Sequence, residues 1–148
     1  MRIAGFFRGG YLAAAYVIAV FKADKLGIQA PIELLIDTGA ARTTVLDRDA
    51  IRLGIDYSKL EKVPDGTLGV GGVVETYVVR NVELIFMTVE GRYLREELDR
   101  VYVLKHRRLD ERILRIPSIL GRDILNKYTL ILDRRRDVAI ITDETTQV

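Results

Sequence analysis

The sequence contains no cysteine, no tryptophan and one histidine, His106. Without cysteine the chain has no disulfides, no thiol nucleophile and no thiolate metal site. Serine occurs only at Ser58 and Ser118, and neither lies in a G-x-S-x-G turn, so a Ser-His-Asp triad is disfavoured. If the protein is a hydrolase, carboxylates are the remaining plausible catalytic groups.

An excess of one charge is also lacking. The 148 residues carry a formal net charge of +2, with 30% charged and 49% hydrophobic residues. This composition is typical of a globular protein and gives no general attraction to nucleic acid. The length predicts one domain over residues 1–148, in which residues 1–10 form an N-terminal extension of undetermined order.

Long hydrophobic runs are missing as well. The apolar run over residues 11–21 has eleven residues, whereas a transmembrane helix needs roughly 20. Lys22, Asp24 and Lys25 follow it, where a signal peptide would carry small residues at its cleavage site. We favour a buried strand over a signal peptide here, and expect a cytoplasmic protein without membrane contact.

The chain does contain many short β-rich runs separated by turn residues. We predict strands over residues 11–23, 28–36, 82–89, 101–104, 129–132 and 138–142, with a hairpin over 67–80 around the glycine-rich tip 69–72. Short helical segments are predicted over 47–55 and after Gly121, and the charged segment between 89 and 101 as an exposed excursion. The predicted fold class is mostly β, a closed or nearly closed barrel with one or two short helices.

The stretch LLIDTGAARTTVL places Asp37 at the end of an apolar strand. A carboxylate in such a position is unfavourable unless it is paired, hydrogen-bonded or used in chemistry. The simplest alternative is that Asp37 caps a turn by accepting hydrogen bonds from main-chain N–H groups two residues on.

Three segments, in this order, resemble those of a known family. Asp37-Thr38-Gly39-Ala40 resembles the catalytic loop of aspartic proteases, and the hairpin tip at 69–72 is similar to the flap of their single-domain, retroviral-type (retropepsin-like) members. The segment 119–123, ILGRD, resembles the element before their C-terminal helix. Each segment alone is a weak signal, but the three agree with one another, and the resemblance as a whole covers roughly residues 11–142.

The resemblance implies an aspartic endopeptidase that acts as a homodimer. Peptide hydrolysis by this class needs one carboxylate that takes a proton and a second that gives one. The chain has a single D-T-G, so a matched pair requires two chains on a two-fold axis, with Asp37 and its symmetry mate as the dyad. The implied partners are a second copy and a peptide or protein substrate, with no metal, no cofactor and no nucleic acid.

The resemblance also implies roles for individual residues. Asp37 would activate the water, Thr38 would brace the two loops, Gly39 would allow close backbone approach, and Ala40 would keep the loop tight against the substrate. The remaining implied residues are the flap tip (Val70, Gly71 and Gly72), the apolar side-chain pocket (Ile116, Pro117 and Ile119) and the structural support of the site (Arg122 and Asp123).

One departure from the family pattern concerns the residues after the loop. Viral members usually carry an acidic residue directly after D-T-G-A, whereas Ala41 and Arg42 follow here. This leaves the partner of Arg122 open, and the neighbouring Asp123 is the candidate replacement.

Two other functions are compatible with the sequence. A dimer of the same fold could bind extended peptides without cutting them. Alternatively, the basic runs at 105–108 and 134–136 could make the barrel an anion or nucleic-acid binder, although such runs are more often solvated loop surface. His106 lies in the first run and is predicted to be exposed.

Overall fold

The computed structural model of the chain describes residues 1–64, 67–69 and 72–145. The strands in this part of the chain are β1 (Arg2–Ala4), β2 (Phe6–Arg8), β3 (Ala14–Ala23), β4 (Ile28–Ile36), β5 (Thr44–Val45), β6 (Glu61–Lys62), β7 (Thr67–Gly69), β8 (Gly72–Met87), β9 (Tyr93–His106), β10 (Ser118–Leu120), β11 (Thr129–Asp133) and β12 (Val138–Thr142). The strand predicted at 28–36 is therefore confirmed to the residue, and the one predicted from residue 11 begins at Ala14.

Two short α-helices accompany the strands, α1 (Asp47–Leu53) and α2 (Arg122–Leu125). Helix α1 ends at Gly54, which has a φ of 68° and so takes the left-handed conformation that glycine tolerates at a helix end. Short 3-10 turns lie at Gly10–Leu12, Asp24–Leu26, Tyr57–Lys59 and Ile113–Arg115. Within the described ranges, no helix is long and apolar enough to cross a membrane.

Six strands close into a barrel in the order β3–β4–β10–β5–β9–β8, with β8 returning to β3. Two of these pairings, β10 with β4 and β5 with β9, are parallel. Alternate residues of β3 point inward, as the period of a half-buried strand requires. The fully buried Phe21, Leu34, Leu84 and Val101 lie in the core. The predicted mostly-β, closed barrel is confirmed.

A second, three-stranded sheet has the order β1–β12–β11 and joins the two ends of the chain. Strand β2 pairs with the edge of β3. The predicted C-terminal hairpin is thus confirmed. Residues 2–8, whose order the sequence left undetermined, form two strands, of which β1 pairs with β12 and β2 pairs with β3.

The prediction of an exposed excursion between residues 89 and 101 is wrong. Most of this segment belongs to β9, which pairs with β8 along its whole length from Tyr93 to His106. Its charges mislead because they alternate with Leu94 and Leu98 and lie mainly on the exposed face. The buried Glu96 is compensated, since it accepts hydrogen bonds from Lys127 Nζ at 2.8 Å and from the Tyr128 hydroxyl.

The predicted exposure of His106 is also wrong, because this side chain is buried, with a relative exposure of 4%. As the last residue of β9 it faces the first turn of α1. Its main-chain N–H donates to Asp47 Oδ1 at 2.9 Å, and its Nδ1 lies 2.5 Å from Asp47 Oδ2. Since Asp47 is buried too, the pair satisfies two polar groups that would otherwise be unfavourable in the core.

Candidate active site

Asp37 directly follows β4, at the point where the strand leaves the barrel. Its main-chain N–H donates to the carbonyl oxygen of Leu120, the last residue of β10, at 3.1 Å. This bond continues the parallel pairing of β4 with β10 by one residue. Asp37 is half-buried, and the next two residues, Thr38 and Gly39, are exposed. The aspartate is therefore accessible while its backbone is fixed to the barrel.

Residues 37–40 form a tight turn. The N–H of Gly39 donates to Asp37 Oδ1 at 2.9 Å, and the N–H of Ala40 donates to the carbonyl oxygen of Asp37 at 3.3 Å. The side chain thus makes the capping bond that the turn interpretation predicts. Among the described residues, no donor contacts Asp37 Oδ2. One carboxylate oxygen orients the side chain, and the other remains available for chemistry.

Strand β10 lies between the two strands that flank this loop. It pairs in parallel with β4 and in antiparallel fashion with β5, opposite Thr44. Just beyond β10, the N–H groups of Arg122 and Asp123 donate to the carbonyl oxygens of Ala40 and Ala41, at 2.9 and 3.2 Å. Residues 37–41, which we call the aspartate loop, are therefore held at both ends by main-chain bonds to one short segment, residues 120–123.

Gly121 explains how these backbones come so close. A Cβ atom at this position would lie 2.5 Å from the carbonyl carbon of Arg42 and 2.8 Å from its oxygen. Real Cβ contacts are essentially never under 3.0 Å. The glycine in ILGRD is therefore required by the crossing of two chain segments beside the loop.

Arg122 and Asp123 have separate partners. Arg122 Nη1 donates to the carbonyl oxygen of Thr38 at 2.9 Å, within the aspartate loop. The Asp123 carboxylate accepts hydrogen bonds from the hydroxyl and the N–H of Thr43, at 2.7 and 2.9 Å. Asp123, the candidate partner of Arg122 in the sequence analysis, is therefore bonded to Thr43 instead, and the partner of Arg122 is the main-chain oxygen of Thr38.

The other predicted site residues are placed as follows. Ile116, Pro117 and Ile119 are half-buried, and Ile119 lies on β10 opposite Leu35 of β4. Gly72 pairs with Gly69 at the end of the β7–β8 hairpin. Val70 and Gly71 lie outside the described residues.

A group of buried polar residues behind the loop was not predicted from the sequence. Thr43, Asp49 and Ser118 are at most 2% exposed. Thr43 Oγ1 also accepts a hydrogen bond from the N–H of Gly121 at 3.2 Å, and Ser118 Oγ donates to Asp49 Oδ2 at 2.6 Å. A signal was available only for Ser118, which is a lone polar residue within the apolar run 116–120, as Asp37 is at the end of its apolar strand. Thr43 and Asp49 stand beside other polar or charged residues and give no such signal.

The two basic runs are not alike in the structure. In the first, His106 is buried and Lys105 Nζ lies 5.0 Å from the ring centre of Tyr57. In the second, Arg134 and Arg136 form ion pairs with Asp137 and Asp133. No group of three or more His, Cys, Asp or Glu residues in the described part of the chain could hold a metal ion.

The sequence matches the aspartyl protease family model over residues 23–124, which include the aspartate loop and ILGRD. The chain belongs to the aspartyl protease family. A search of curated proteins finds no match.

Similarity to a solved structure shows that this chain has the retropepsin-like fold. A retropepsin-like aspartic protease from Rickettsia conorii is 22% identical, with a TM-score of 0.53, and the match covers 95% of this chain and 88% of that chain. EIAV protease complexed with an inhibitor is 24% identical, with a TM-score of 0.47 over 80% of this chain and 91% of that chain. The retroviral protease-like domain of Ddi1 from Leishmania major is 16% identical, with a TM-score of 0.45 over 87% and 96%.

Proposed function

We propose that this protein is an aspartic endopeptidase whose active site forms between two copies of the chain. The observation that supports this most directly is the placement of Asp37. It lies on an accessible turn, one of its oxygens is oriented by Gly39, and main-chain bonds to Leu120 and Arg122 fix the turn to the barrel. A turn that served only as a connection would not need this support.

The chemistry requires two Asp37 side chains that share one proton. The ionised carboxylate accepts a proton from a water molecule as the water oxygen attacks the peptide carbonyl carbon, and the protonated carboxyl donates its proton to the carbonyl oxygen. The carboxyl group that took the water proton then donates it to the amide nitrogen, and the other carboxylate takes a hydroxyl proton from the tetrahedral intermediate. The C–N bond breaks, the products are a carboxylic acid and an amine, and the pair again holds one proton. Cleavage should be fastest on the acidic side of neutrality, because the pair must hold one proton.

We propose that the substrate binds as an extended strand between the aspartate loop and the β7–β8 hairpin. Val70, Gly71 and Gly72 would close over it and exclude water. The half-buried Ile116, Pro117 and Ile119 would favour apolar side chains next to the cleaved bond, and Ala40 would lie against the substrate backbone.

The proposed dimer is supported by the three-stranded sheet β1–β12–β11. Within the described residues, β11 pairs with β12 alone, so its second edge is open. Leu132 on this strand is 49% exposed. An open strand edge with an exposed leucine is the kind of surface that pairs with another chain.

The test compares the wild-type protein with Asp37→Asn on a mixed peptide library, read by mass spectrometry from acidic to neutral pH. We expect the wild type to cleave and the variant to be inactive, with both forming dimers by size-exclusion chromatography with light scattering. Equal cleavage by both would remove Asp37 from the mechanism. A wild-type dimer that binds extended peptides without cutting them would indicate a binding module, and steeply salt-dependent binding of DNA or RNA would indicate a nucleic-acid binder.

A further inference from the structure

Behind the aspartate loop lies a buried hydrogen-bonded bridge between α1 and β10. Ser118 is 0% exposed and Asp49 2% exposed. Ser118 Oγ donates to Asp49 Oδ2 at 2.6 Å and accepts a hydrogen bond from the N–H of Leu46 at 3.0 Å. The serine hydroxyl thus connects β10 to the entry of α1 by two bonds.

Asp49 also pairs with two arginines of the same helix. Arg48 Nη2 lies 3.6 Å from Oδ2, the oxygen that accepts from Ser118, and Arg52 Nη2 lies 3.4 Å from Oδ1. Arg52 Nη2 also donates to the carbonyl oxygen of Pro31 at 2.7 Å, and Pro31 lies on β4. The Asp49 carboxylate therefore joins α1 to β10 through the serine and α1 to β4 through the arginine.

The bridge lies close to the loop along the chain. Strand β10 has only three residues, so Ser118 and Leu120 are about 7 Å apart along it. Leu120 accepts the Asp37 N–H, and Arg122, two residues further on, bonds to Thr38 and Ala40. Ser118 is therefore joined to the atoms that hold Asp37 by a short strand that pairs with β4 at all three residues and with β5 at Ile119.

We propose that Asp49 and Ser118 are positioning residues for the aspartate loop, which act on Asp37 through β10 without contacting the substrate. The proposal rests on the proposed function for its catalytic consequence only. Displacing a catalytic group by about 1 Å can lower a rate by about a hundredfold. Loss of one bond in a retained framework is expected to have a smaller effect.

The same helix offers a matched control. Asp47 has the same 2% exposure as Asp49 and lies in the same turn of α1, but its carboxylate bonds to His106 at the end of β9. Asp47→Asn should therefore disturb a buried carboxylate at similar cost to folding, with no direct effect on β10.

The first measurement is amide hydrogen exchange by NMR on the wild type, Ser118→Ala, Asp49→Asn and Asp47→Asn. In the first two variants we expect the amides of Asp37 and Arg122 to exchange about tenfold faster relative to the amides of β8 and β9. In Asp47→Asn this ratio should stay at its wild-type value. Loop amides that follow the barrel amides in every variant would overturn the proposal.

The second measurement is peptide cleavage, with the substrate taken from the library experiment. Ser118→Ala and Asp49→Asn should lower kcat about tenfold and change KM less than about twofold, since the substrate surface is retained. The double variant should be no worse than either single one, because both changes break the same bridge. A kcat in either variant that equals that of Asp47→Asn would contradict the proposal. If the wild type does not cleave, the proposed function fails, while the exchange measurement still decides the positioning role.

Discussion

At the scale of single residues, the site depends on polar side chains that lie behind the aspartate rather than beside it. Thr43 is the clearest case, because its hydroxyl donates to Asp123 at 2.7 Å and accepts from the Gly121 N–H at 3.2 Å while the residue is 1% exposed. It thereby links the segment after the loop to the segment after β10.

Thr43→Val tests this role. The change keeps the shape of the side chain but removes the acceptor of the Gly121 N–H group and one of the two donors to Asp123 Oδ1, which keeps the Ile124 N–H. We therefore expect a loss of roughly 1–3 kcal/mol in the free energy of unfolding. Urea denaturation followed by circular dichroism measures it. Thr44→Val is the control, because Thr44 is half-buried and its hydroxyl donates only to the Arg42 carbonyl oxygen. Equal losses in both variants would show that the Thr43 hydrogen bonds contribute no more to the free energy of unfolding than the Thr44 hydrogen bond does.

At the residue scale, the turn at Asp37 could be predicted from the sequence, whereas the burial of His106 could not, and the catalytic role of Asp37 stays a prediction. Asp37 is marked by its place after an apolar strand and by glycine two residues later, both of which are local. His106 stands in a run of cations, and its burial depends on Asp47, which is 59 residues away in the sequence. A contact of that separation leaves no local pattern.

At the scale of elements, the crossing of the β10–α2 segment over the end of the aspartate loop is the tightest contact of the site. The φ of Gly121 is −97°, which any residue can adopt, so this glycine is required for space and not for backbone conformation.

Gly121→Ala should therefore destabilise the fold by about 3 kcal/mol and abolish cleavage, since its Cβ would meet main-chain atoms that cannot move aside. The comparison variant is Gly27→Ala. Gly27 has a φ of 66° and no atom within 4 Å of an added Cβ, so only backbone strain of about 1 kcal/mol is expected there. Thermal unfolding measures the loss of stability in both variants, and a peptide cleavage assay measures their activity. A fully active Gly121→Ala would contradict the close crossing.

The 3-10 turn at Tyr57–Lys59 gives a prediction about alkaline pH. Burial, with smaller effects from Asp47 and Tyr77, raises the pKa of Tyr57 to about 12, against about 10 in an unfolded chain. Because the folded state retains this proton longer, its contribution to stability is complete below about pH 10 and is lost as the pH rises towards 12.

Tyr57→Phe should reduce the loss of stability at alkaline pH, because phenylalanine has no hydroxyl proton to release. Urea unfolding between about pH 9 and pH 11 should show a smaller fall in stability for the variant than for the wild type. Some fall should persist, because burial and a hydrogen bond to Glu96 also raise the pKa of Tyr128. Tyr93→Phe serves as the control, since Tyr93 is 66% exposed. Parallel curves for all three proteins would show that Tyr57 does not titrate differently on folding.

Element-scale prediction was good where one face of a strand is apolar, as in β4, and poor where charge hides the alternation, as in the first half of β9.

At the scale of the whole molecule, the barrel class followed from the succession of short strands. The two parallel pairings that help to close the barrel were not predicted, because the contacts of β10 with β4 and of β5 with β9 join segments that are some 58 to 84 residues apart. Only the packed core selects that register.

The whole-molecule prediction concerns how many chains make one active site. Each chain supplies a single aspartate loop, so a mixed dimer of one wild-type and one Asp37→Asn subunit would contain half of the dyad and should be inactive. If subunits mix at random in equal amounts, about one quarter of the dimers are fully wild type, and activity should fall to about one quarter of that of the same total concentration of wild-type protein. Random mixing is ensured by unfolding the two proteins together and refolding them.

The control replaces Asp37→Asn by Ser58→Ala, a change in an exposed 3-10 turn, for which the mixture should keep the full activity. If each chain acted alone, the Asp37→Asn mixture would retain about half of the activity, because only the variant chains would be silent. Varying the fraction of the variant separates the two cases, since a dyad shared between chains predicts that activity falls with the square of the wild-type fraction, whereas independent chains predict a straight line.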